Sequence, residues 1–141
     1  MSRLARTRAV SAAEVRAYVL KAGEYLAAAT NELDAGRPIA STSLAIHAAI
    51  NAADAVTGAR VGKRAAGQDH DRVLALLREA GQDGVEVERN LARLLPLKTR
   101  TEYEPDEVPA SEAAKAVTRA GRCVAVARRV ATGGPPVRNR T

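Results

Sequence analysis

From Ser11 onward the chain alternates long apolar-periodic stretches with short breaks. Ser11-Ala-Ala-Glu14 has the spacing of a capping box, with Ser as N-cap and Glu three residues on. Behind it Val15, Tyr18, Val19, Ala22, Tyr25, Leu26 and Ala29 recur at steps of three and four, which predicts a first helix ending between Leu33 and Gly36. Pro38 suits the first turn of a second helix, running from about Pro38 or Ile39 to about Ala59. Gly58, Gly62 and Gly67 mark a loop made basic by Arg60, Lys63 and Arg64. Asp69 is the expected N-cap of a third helix, His70 to Ala80, with Val73, Leu74 and Leu77 inward. Gly81 to Gly84 reads as a tight break. A fourth helix starts near Val85 and carries Leu91, Leu94 and Leu95; Pro96 is expected to kink or divide it. After a Pro-bounded acidic loop, Ser111 is the expected cap of a last helix reaching about Ala131.

These elements predict an all-α fold, an antiparallel up-and-down bundle of four or five helices. Residues 1–10 read as a basic lead-in, 11–132 as the helical domain and 133–141 as a disordered basic tail. With no Trp, no Phe and only Tyr18, Tyr25 and Tyr103, the interior of this 141-residue chain must be Ala, Leu and Val. A single cysteine, Cys123, excludes an intrachain disulfide and a multi-cysteine zinc site. No metal or other cofactor is expected. Neither a signal-type leader nor a run of about 18 apolar residues is evident, so a cytoplasmic location is expected.

The net charge of +6 is unevenly placed. Arg3, Arg6 and Arg8 precede every acid, and seven bases follow Glu112 with no acid among them. Between residues 9 and 114 the remaining twelve bases face all 16 acids, a net of −4. Two basic ends brought together would make a cationic surface suited to nucleic acid or an acidic partner.

Within the second helix His47, Asn51 and Asp54 stand at i, i+4 and i+7, along one side of an Ala-rich, apolar segment. One His and one carboxylate are thin for a transition metal. The stripe is expected to be a structural polar network, partnered by Tyr18, Lys21 or Tyr25 of the first helix.

Three segments in order carry a resemblance. Ala45-Ile46-His47-Ala48-Ala49-Ile50-Asn51-Ala52-Ala53-Asp54-Ala55 is one, Asp69-His70-Asp71 after a Gly-rich basic loop is another, and Leu94-Leu95-Pro96-Leu97-Lys98-Thr99-Arg100-Thr101-Glu102-Tyr103 is the third. Together they resemble small stand-alone bacterial HEPN-domain proteins over residues 11–131. The resemblance implies a helical bundle, a homodimer, an RNA or nucleotide ligand and, in some systems, a partner nucleotidyltransferase of a toxin–antitoxin pair. Many members of that family are metal-independent endoribonucleases, and the active ones typically carry an Arg-x(4–6)-His motif near the start of the last long helix. Here Lys98 or Arg100 takes the Arg place and Tyr103 stands where His would be. An ordinary tyrosine hydroxyl, with a pKa of about 10, is a poor general base at neutral pH. The resemblance therefore implies a module that binds nucleic acid, nucleotide or a protein partner without efficient catalysis. An endoribonuclease using Arg100, Tyr103 and His70 is the first alternative, and a ligand-free structural adaptor the second. Arg64 and His70 also satisfy Arg-x(4–6)-His by count, but from the wrong loop. Lys98, Arg100, Arg60, Lys63 and Arg64 are the expected binding residues.

Overall fold

The computed structural model describes residues 6–67, 69–105 and 107–133. Its elements in chain order are β1 (Thr7–Ala9), α1 (Ala12–Asp34), α2 (Pro38–Val61), β2 (Lys63–Ala65), α3 (His70–Arg78), α4 (Gly81–Tyr103) and α5 (Ala110–Ala131). The fold is an all-α bundle with one small two-stranded ribbon. The capping box forms as the sequence requires: Glu14 N donates to Ser11 Oγ at 3.1 Å and Ser11 N to Glu14 Oε1 at 2.9 Å.

Side-chain pairs fix the helix directions. Ser41 Oγ, at the start of α2, donates to the Ala29 carbonyl near the end of α1 at 2.8 Å. Asp83, at the start of α4, meets Arg60 at the end of α2 and Arg129 at the end of α5. Arg100, at the end of α4, meets Glu112 at the start of α5. The four long helices therefore alternate up and down. α2 is the central rod. Ala45, Ala48, Ala49, Ala52, Ala53 and Ala55 are all buried, and Ile46 and Val56 with them. A helix this apolar belongs inside, with only the side that carries His47, Asn51 and Asp54 left half-buried. Alanine-sized side chains let neighbouring helices come close, and each fully buried Ile or Leu adds about 2 kcal/mol of burial. Contrary to the expectation from sequence, α2 meets the criterion for a membrane span by length and mean hydropathy; a core helix has the same composition.

Some local expectations are corrected. The Gly-rich segment is not a loop throughout: α2 continues through Gly58 and Arg60 to Val61 and ends on left-handed Gly62 (φ 82°). β2 then pairs antiparallel with β1, within the segment expected to be a lead-in, in the register Thr7 to Ala65, Arg8 to Arg64 and Ala9 to Lys63. The break expected at Gly81 to Gly84 is shorter and earlier: α3 ends at Arg78, Gly81 is left-handed (φ 73°), and Gln82 to Gly84 already belong to the first turn of α4. Gly84 is needed there because a Cβ would lie 2.0 Å from the Leu77 carbonyl oxygen, so the α3–α4 elbow closes onto bare backbone. Pro96 does not divide α4, and α5 starts at Ala110 behind Pro109, with no side-chain cap from Ser111. Residues 1–5 of the lead-in and 134–141 of the basic tail lie outside the described residues.

Candidate functional site

The polar stripe of α2 lies against α1 and the ribbon. His47 Nδ1 is 2.9 Å from the Ser43 carbonyl, and Asn51 Nδ2 donates to the His47 carbonyl at 2.9 Å. Both side chains thus bond one turn back on their own helix. The Tyr25 ring from α1 tilts against the His47 ring at 5.4 Å between centroids. Asp54 is different. Burial pushes its carboxyl up to about 6 against the opposing pull of Arg64 and Lys21. Neither base comes within ion-pair distance of it. The stripe is therefore held by its own helix and one ring contact, and it presents Asp54 toward two cations.

The bases of α4 that the sequence marks for binding are each matched with an acid. Lys98 Nζ is 3.2 Å from Glu102 Oε1. Arg100 Nη1 is 3.2 Å from Glu112 Oε1, and Nη2 donates to the Glu107 carbonyl at 3.4 Å. Tyr103, the last residue of α4, is 74% exposed. His70 opens α3 behind Asp69, whose Oδ1 accepts the Arg72 amide at 3.2 Å. Among the described residues no hydrogen bond, ion pair or ring contact joins His70 to Arg64, Arg100 or Tyr103. Cys123 is buried, and burial pushes its thiol up to about 12, which keeps it protonated at neutral pH. No group of three or more His, Cys, Asp or Glu among the described residues could hold a metal ion.

Arg60 is drawn inward. Its Nε and Nη2 reach Asp83 Oδ2 at 3.2 and 3.0 Å, while Arg129 Nη2 reaches Oδ1 at 2.6 Å. Asp83 is 1% exposed and sits in the first turn of α4, where the helix dipole also favours its charge. Two guanidinium groups on one carboxylate pin α2, α4 and α5 at one end of the bundle. Lys63 and Arg64 stand on β2, the Arg64 guanidinium 5.9 Å over the Tyr18 ring.

Bases without acids lie on α5. Lys115, Arg119 and Arg122 recur at i, i+4 and i+7 along its outer face, so neighbours stand roughly 6 Å apart. Lys115, Arg119 and Arg122 line a shallow cleft of about 380 Å³. A second cleft, of about 280 Å³ between α4 and α5, adds Arg93, Leu94 and Leu97 to Lys115 and Arg119. Among the described residues the single carboxylate lining either cleft is Glu112, and Arg100 holds it. The sequence places these bases in a basic end without marking them as a site. Their spacing on the polar face of α5 is the signal that could have found them.

Comparison with protein-family models and with curated proteins finds no match for the chain.

Proposed function

We propose that the protein is a HEPN-type helical module that binds the phosphate backbone of nucleic acid across α4 and α5, without efficient catalysis. The observation that carries this reading is the row Lys115, Arg119 and Arg122, joined by Arg93, with no carboxylate in ion-pair contact with it among the described residues. Nucleic-acid affinity comes largely from such bases, which displace counterions from phosphates. Among the described residues no hydrogen bond, ion pair or ring contact joins His70 to Arg100 or Tyr103, which argues against a catalytic centre built from all three, because acid–base catalysis needs groups within hydrogen-bond reach of one reacting site. The HEPN assignment itself draws on the order of the three sequence segments. A homodimer and a partner nucleotidyltransferase belong to the same reading.

The test is fluorescence anisotropy with labelled single-stranded and hairpin RNA, without metal, from about 50 to 200 mM salt. Binding that weakens steeply with salt and is lost in the triple variant Lys115→Ala, Arg119→Ala, Arg122→Ala is expected, with the RNA intact on a gel. RNA cleavage would support the endoribonuclease instead. Absence of binding would leave the structural adaptor.

A further inference from the structure

A second cationic feature lies away from the α5 row, where the ribbon meets α1. In the β1–β2 ladder Arg8 stands directly opposite Arg64. Directly opposed residues of an antiparallel pair project on the same face, and like charges so placed repel. A ribbon of two three-residue strands has little stability of its own to absorb that repulsion. Both arginines, with Ala9, Val10, Glu14 and Tyr18, line one cleft of about 340 Å³. The Tyr18 ring forms one wall, under the Arg64 guanidinium at 5.9 Å.

The acids nearby form no ion pair with the two arginines among the described residues. Glu14 lines the same cleft, so its single charge offsets one of the two, and its Oε1 is turned to the Ser11 amide in the capping box. Asp54 approaches Arg64 from α2 and is shared with Lys21. Arg64 spends one N–H on the Ala65 carbonyl, which fixes its fork without neutralising it. Among the described residues neither Arg8 nor Arg64 forms an ion pair. Two forked guanidinium groups on one face of a small polar cleft suit a tetrahedral oxyanion that accepts hydrogen bonds from both.

We propose that Arg8 and Arg64 clamp a phosphate dianion in this cleft, against Tyr18. A dianion between the two strands turns their repulsion into a bridge, so binding also tightens the ribbon. The cleft has room for a phosphate and part of a sugar, not for a whole nucleotide held on all sides. The shared chemistry has two sources, a small phosphorylated compound such as a nucleoside monophosphate, and free orthophosphate.

The test is isothermal calorimetry and thermal melting of the full chain with adenosine monophosphate, with orthophosphate and with adenosine. The phosphate-bearing probes are expected to bind and to raise the melting temperature, and adenosine to do neither. Tighter binding of the monophosphate than of orthophosphate assigns an ester ligand; equal binding assigns the free ion. Arg8→Ala, at an exposed strand position, should weaken binding at least about tenfold, and Arg64→Lys, which keeps the charge but loses the fork, by a smaller factor. Lys115→Ala should bind like wild type, which keeps this site distinct from the α5 surface. Amide exchange at Val10 and Ala66, the donors that close the ribbon ends onto Gly62 and Arg6, should slow with ligand. No binding of either phosphate probe, or undiminished binding in Arg8→Ala, would overturn the proposal.

Discussion

The junction at Asp83 and the outer face of α5 use the same residue type to opposite ends. At the junction two arginines converge on one buried carboxylate. On α5 three bases stand in a row with no ion-paired acid among the described residues. The first arrangement joins three helices, and the second leaves charge available to solvent and to a ligand. What separates them is the position of a few carboxylates. Arg100 makes the same point from the other side: by holding Glu112 it keeps that acid from neutralising Lys115 and Arg119. The number of bases in a segment says little about binding until their partners are known.

Asp83→Ala tests the first half most severely. It strands two guanidinium groups against each other, and urea unfolding should show a loss of about 3 kcal/mol. A loss below about 1 kcal/mol would reduce the junction to an ordinary surface cluster. For the α5 face, the pair Arg119→Glu and Arg122→Glu should weaken RNA binding at low salt by about tenfold or more. The slope of log affinity against log salt should become shallower by about one for each phosphate no longer neutralised. Their stability should stay within about 0.5 kcal/mol of wild type, since neither side chain holds the fold.

Asp54 is a third case, a half-buried carboxylate near cations but with no ion pair to either among the described residues. Its folded pKa of about 6 exceeds the ordinary value of 3.8. As pH rises through that window the unfolded chain releases the proton first. The native state is therefore destabilised between about pH 4 and 6, and the loss persists above pH 6. Asp54→Asn should remove this fall, so its gain over wild type in melting temperature should be larger at about pH 7.5 than at about pH 4. An equal difference at both pH values would show that the carboxyl is not held up by burial. The smallest effect belongs to Arg100→Ala. It touches no proposed ligand, yet it frees Glu112 beside the α5 row, so RNA affinity should fall by about two- to fivefold with at most about 1 kcal/mol of stability. Adding Glu112→Ala should restore the affinity.

Helix α1 shows how much was legible. Ser11, Glu14 and the three-four spacing behind them are local signals, and α1 spans Ala12–Asp34 as they require. Gly84 shows the limit. Next to Gly81 it looks like part of a turn, and only the closeness of the Leu77 carbonyl reveals a glycine chosen for packing. The ribbon was hidden for the same reason, because Thr7–Ala9 and Lys63–Ala65 are too short to signal strands and become so only by meeting each other.

Periodicity, side-chain size and charge belong to neighbouring residues, so the helices, the aliphatic interior and the surplus of bases could be read from the chain alone. Which bases are spent on acids and which remain is a matter of the fold. Arg60 finds Asp83 across 23 positions, Arg129 finds it across 46, and Arg8 meets Arg64 across a ladder between distant segments. Charge acts through distance in space, and the fold sets that distance.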